Sequence, residues 1–132
     1  MIDDSEIKKL LEQSKTEYAN YLKLDKEDAL AEAGELLWEC FRASVAQITN
    51  IKIDNINELM ATTTQMGEPF NQLFFRCYHF HSWYSGGGVP NNFEAEKKIY
   101  IESVRSVEKI VKNKRNSQRT KKQKLETATE AT

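Results

Sequence analysis

FNQLFFRCYHFHSWYSGGG, residues 70–88, holds seven of the thirteen aromatic residues, both histidines and one of the two cysteines. Read as a helix, it gathers Phe70, Leu73, Phe74, Cys77, His81 and Tyr84 on one face at steps of three and four. Read as a strand, it alternates Phe75, Cys77, His79, His81 and Trp83 with Arg76, Tyr78, Phe80 and Ser82, and aromatic residues suit that state. A lone strand leaves its backbone donors and acceptors unpaired, and no partner strand is evident elsewhere in the sequence. The expectation is therefore a helix, ended by Gly86–Gly88 and Pro90 in a flexible loop.

The flanking segments carry helical periodicity. Ile7, Leu10, Leu11, Tyr18, Tyr21 and Leu22 define a first helix from about Asp4 to Leu22, with N-cap chemistry in Asp3, Asp4 and Ser5. A link of a few residues, Lys23–Lys26, makes the next helix an antiparallel neighbour. That second helix, about Lys26 to Ile48, has Leu30, Ala33, Leu37, Phe41, Ser44, Val45 and Ile48 as its inner stripe. Ala29, Ala33 and Gly34 are small, so another backbone can approach there. Trp38 sits beside the stripe and reads as core or dimer surface.

After a hinge at Thr49–Ile53, Asp54 caps a short helix over Asn55 to about Gln65, with Ile56, Leu59 and Met60 inward. Gly67 serves as its C′ residue and Pro69 opens the next helix. Asn92 caps a last helix from Phe93 to about Lys112, striped by Phe93, Tyr100, Val104, Val107 and Val111.

Composition agrees with a single all-α domain. The chain has 132 residues, 39% of them apolar, enough for one core. Gly and Pro together number only seven. No apolar run reaches the length of a membrane span, and the charged start MIDDSEIKKLLEQ lacks the pattern of a signal peptide. A cytoplasmic protein with two free thiols, Cys40 and Cys77, is the expectation.

The net charge of −1 conceals an asymmetry. Residues 112–132 carry seven basic and two acidic side chains, whereas residues 1–111 carry twelve and eighteen. This divides the chain into a helical body, 1–112, and a disordered basic tail, 113–132. Lys121 and Lys122 in that tail are candidate contacts to nucleic-acid phosphates. A merely solubilising tail is the competing reading.

Arg76 and His81, spaced Arg-x-x-x-x-His, suit metal-independent RNA cleavage. Histidine exchanges a proton near neutral pH, and arginine holds a phosphate with two parallel donors. Five residues on a helix, however, turn through about 140°. Arg76, His79 and Trp83 share a face instead, so Arg76 with His79 is the better pair within one chain. A composite site from two chains, or a break near Ser82, would join Arg76 to His81. Tyr78, Trp83 and Tyr84 are candidates for stacking on a base. Structural roles compete: an ion pair from Arg76 to Glu35 or Glu39, and a hydrogen-bonded core position for His81. Cys77 and His81 alone do not make a zinc site, and no other cofactor signature is visible.

Three segments resemble the PaREP-type proteins of the HEPN superfamily: AEAGELLWECFRASVAQI (31–48), YHFHSWYSGG (78–87) and IYIESVRSVEKIVK (99–112). The resemblance covers about residues 5–112. It implies a compact bundle of four or five helices that forms a homodimer, with an Arg-x(4–6)-His motif facing a shared cleft. It also implies a metal-independent endoribonuclease of toxin or defence type, partnered by RNA and an antitoxin or other protein. Members without the motif serve as interaction modules. Arg76 and His81 match the motif's spacing, with His79 as the alternative histidine. Cys77 stands where active members usually carry a polar residue.

Overall fold

The computed structural model describes the backbone of residues 3–86 and 92–130, and the side chains of residues 3–86 and 92–113. Among the described residues there are five helices and no strand. They are α1 (Asp4–Leu24), α2 (Glu27–Thr49), α3 (Ile56–Met66), α4 (Phe70–Gly86) and α5 (Phe93–Glu130). The strand alternative for residues 70–86 is thereby excluded.

Local chemistry sets most of the ends. Asp3 accepts from the Glu6 N–H at 2.9 Å and starts α1, satisfying one of the unpaired amides of a first helical turn. Asn92 accepts from the Ala95 N–H in the same way and starts α5. The cap of α3 is Asn55, which accepts from the Glu58 N–H, not Asp54; Asp54 instead gives its own N–H to the Glu58 carboxylate. Gly67 closes α3 at φ 78°, a left-handed conformation that favours glycine. Asp25 and Asn50 close α1 and α2 in the left-handed helical region, at φ 53° and 56°. Helix α5 runs past the expected end at Lys112 to Glu130, and its last described buried side chain is Val111. Lys121, Lys122 and the rest of the expected tail fall outside the described side chains.

Helix α2 packs against α1, α4 and α5, and α3 lies against α4. Its buried residues therefore cover a broad arc: Leu30, Ala33, Leu37, Trp38, Cys40, Phe41 and Val45 are fully enclosed, while Glu32 and Glu39 on the far side are exposed. Ser14 ties three helices together. Its hydroxyl donates to the Ala33 carbonyl at 2.6 Å. Having spent its only hydrogen there, it accepts from the Tyr100 hydroxyl at 2.8 Å. Tyr18 stacks on Tyr100 with centroids 4.5 Å apart. Burial, the larger cause, pushes the Tyr100 phenol well above its ordinary range, and the bond to Ser14 opposes that shift.

Helices α2 and α4 pack closely at Gly34. A Cβ added to Gly34 would lie 2.5 Å from the Phe80 Cβ and 2.6 Å from its Cγ. Phe80 is fully buried, although it stands off the stripe read from sequence. Other stripes are shifted in the same manner. Leu59 and Thr63 face inward on α3, while Ile56 and Met60 are partly open to solvent. Leu22, Ile48 and Tyr84 also lie outside the core.

Gly34→Ala tests this approach. Alanine favours a helix over glycine by about 1 kcal/mol, but overpacking costs about 1–3 kcal/mol and here meets a Cβ that cannot swing away. The expected result in thermal unfolding is a net loss of stability; an unchanged or raised Tm contradicts the close approach.

The Ser14 junction gives a second prediction. Ser14→Ala leaves a buried phenol without a partner and costs about 1–3 kcal/mol, more than Tyr100→Phe, which removes the phenol altogether. The double variant is less destabilised than the sum, by denaturant unfolding. Alkali acts through the same phenol. Its raised folded-state pKa means a contribution fully present below about pH 10, the unfolded value, and lost as pH climbs toward the folded one.

Candidate functional site

Helix α4 presents its polar groups to two different neighbours. Leu73, Phe74, Cys77 and Phe80 fill the buried side. On one flank, at the seam with α5, the Arg76 Nη2 lies 4.0 Å from the Glu102 Oε2, and the His79 Nε2 lies 2.7 Å from the Glu96 Oε2. Trp83 continues this flank and meets Phe93 of α5 edge-on, with centroids 6.1 Å apart. On the other flank, at the seam with α2, the His81 Nδ1 lies 2.7 Å from the Glu35 Oε2. The His81 ring stacks on Trp38 at 5.0 Å with planes 17° apart.

The sequence-predicted residues thus fall into two groups. Arg76, His79 and Trp83 share the α5 side, as steps of three and four require. His81 and Tyr78 share the α2 side, with ring centroids 6.2 Å apart, and Tyr78 stacks on Phe74. Arg76 and His81 belong to different seams of the same chain. Tyr84 is half exposed and Cys77 fully buried. Burial, above all, pushes the Cys77 thiol far up, so it stays protonated and inert at neutral pH. Arg76 pairs with Glu102 rather than with Glu35 or Glu39; Glu35 belongs to His81.

Protonation follows from the partners. An ionised carboxylate only accepts, so the nitrogen facing it carries the hydrogen. Neutral His79 is then Nε2–H, donating to Glu96, with Nδ1 left as the basic nitrogen. Neutral His81 is Nδ1–H, donating to Glu35, with Nε2 as the basic nitrogen. The two differ in access: the His79 side chain is 47% exposed and the His81 side chain 25%. The Arg76–Glu102 contact is long and partly solvated, a class of pair worth about 0–1 kcal/mol, so its guanidinium can be drawn to another anion.

Glu96 and Glu102 were not singled out from sequence. Glu96 had a signal there: it stands three residues after Phe93 and four before Tyr100, on the apolar stripe of α5. A carboxylate at such a position requires a polar partner. It is 7% exposed, and His79 is that partner. Trp38 is fully buried among Phe74, Tyr78 and His81, and its Nε1–H has no partner among the described residues. No group of three His, Cys, Asp or Glu side chains among the described residues is arranged to hold a metal ion. No helix among them is long and apolar enough to cross a membrane.

Comparison with protein-family models, with curated proteins and with solved structures finds no match to this chain.

Proposed function

We propose that this chain is an RNA-binding, metal-independent endoribonuclease of HEPN-like type, built as an antiparallel bundle and acting in the cytoplasm as a homodimer. The observation that carries the reading is the pair Arg76 and His79 on one side of α4, with the histidine half exposed and bonded to a carboxylate at its back. The chemistry is as follows. His79 takes the proton of a ribose 2′-hydroxyl. The freed oxygen attacks the adjacent phosphorus, the bond to the 5′-oxygen breaks, that oxygen takes a proton from water, and the hydroxide left behind takes the proton held by His79, which restores the base. The products are a 2′,3′-cyclic phosphate and a 5′-hydroxyl. Arg76 leaves Glu102 to hold the non-bridging oxygens, whose negative charge grows at the transition state. No redox partner or metal enters the balance. Tyr78, Tyr84 and Trp83 offer rings to bases, and Lys121 and Lys122 offer charge to phosphates. Toxin or defence action opposed by an antitoxin is the biological setting that goes with this chemistry.

A second reading is a non-catalytic homodimeric interaction module. It draws support from the acidic setting: Glu35, Glu96 and Glu102 each stand against one of the three cationic or titratable groups. Carboxylates so placed oppose an incoming phosphate.

Incubation of the purified chain with mixed RNA in EDTA separates the two. Cleavage is expected to persist in EDTA, to spare a 2′-deoxy substrate, and to fall by about 10²–10⁴-fold in Arg76→Ala and His79→Ala. A deeper loss in His81→Ala than in His79→Ala transfers the base to His81 and requires a site shared by two chains. Intact RNA after prolonged incubation, with every variant folded, overturns the enzyme and leaves the module.

A further inference from the structure

The His79–Glu96 pair is built differently from its two neighbours along α5. Glu94–Lys97 joins neighbours on one helix, with the carboxylate 83% exposed, and Arg76–Glu102 is long. Glu96 is nearly buried on the inner side of α5, and its oxygen meets the His79 Nε2 at 2.7 Å across two helices. A buried carboxylate has few alternative partners and little freedom, so it fixes whatever it binds.

We infer that Glu96 is a positioning residue for His79, holding the imidazole in the Nε2–H form so that Nδ1 faces outward as the reacting base. This rests on the ribonuclease reading above. Three consequences follow from the geometry. The ring cannot turn over without abandoning a 2.7 Å bond. Its basic nitrogen is directed away from the buried carboxylate. The carboxylate stays bonded at the back of the ring while the 2′-hydroxyl proton arrives at the other nitrogen. His81 has a similar partner in Glu35, but its ring lies flat on Trp38 and is less open. Glu96 therefore assigns the working imidazole to His79.

A purely structural tie between α4 and α5 gives a different pattern of results, and a kinetic double-mutant cycle distinguishes them. Wild type, Glu96→Gln, His79→Ala and the double variant are compared on RNA in EDTA, after thermal melts confirm folding. Glu96→Gln preserves shape and removes charge; Glu96→Asp preserves charge and withdraws the oxygen by one methylene, and serves if the glutamine variant does not fold. The expected result is a fall in kcat on the order of 10- to 100-fold for Glu96→Gln, with KM within about twofold, as for loss of a group that orients a reacting side chain. In the His79→Ala background the same substitution changes the residual rate by less than about twofold. An equal loss in both backgrounds, or no loss in either, overturns the positioning role while leaving the nuclease standing. A wild type that cleaves nothing removes the nuclease reading, and the positioning role falls with it.

Discussion

The missing Cβ of Gly34 is the constraint from which the arrangement of α4 follows. With hydrogen alone at that position, the Phe80 Cβ and ring come within a distance that no other residue on α2 would permit. The two helices then meet closely enough for the next residue along, His81, to lie on Trp38 and reach Glu35. Since Phe80 points into the bundle, a residue one position earlier points across it. His79 and Arg76 are thus turned toward α5. With Leu73, Phe74, Cys77 and Phe80 turned inward, the histidines on either border meet Glu96 and Glu35.

That geometry also explains why burial and chemistry separate so cleanly along α4. Leu73, Phe74, Cys77 and Phe80 supply the apolar side, and each fully buried side chain of this kind contributes about 1.5–3 kcal/mol of transfer free energy. The polar groups sit on the borders of that side, where each histidine ring meets a carboxylate of a neighbouring helix. The Ser14 junction does the corresponding work at α1, α2 and α5. It satisfies a phenol and a hydroxyl that would otherwise be stranded in the core.

Much of the architecture was legible because its causes are local. The caps at Asp3, Asn92 and Gly67 and the stripes of α1, α2 and α5 are written in residues a few positions apart. Of the small residues Ala29, Ala33 and Gly34, the glycine does admit a close neighbour, and that neighbour is the Phe80 side chain rather than a backbone. Residues 70–86 are helical for a reason visible in the sequence: no other segment among the described residues offers a strand to pair with. Contacts between distant segments were less legible. Phe80 belongs to the inner stripe by spacing as well, seven residues after Leu73 and three after Cys77, although the face read from sequence passes it over; Gly34 on another helix makes room for its ring. Glu35 and Glu39 are equally open to Arg76 from sequence, and nothing in periodicity specifies that Glu35 meets a histidine 46 positions later. The five-residue spacing of Arg76 and His81 did predict that they would part, since helical geometry alone sets that angle. Glu96 could have been found as an acid on an apolar stripe, a mismatch that calls for a partner.

The two carboxylate bonds on opposite flanks have a mechanical consequence. Glu35 holds α4 from one side and Glu96 from the other, through ring nitrogens two residues apart. A slip of one residue would rotate the helix by about 100° and withdraw both imidazoles at once. The segment is therefore indexed in azimuth, like a keyed shaft. An oily surface alone would let it roll by small amounts at little cost, whereas this pair of detents admits a single angular setting.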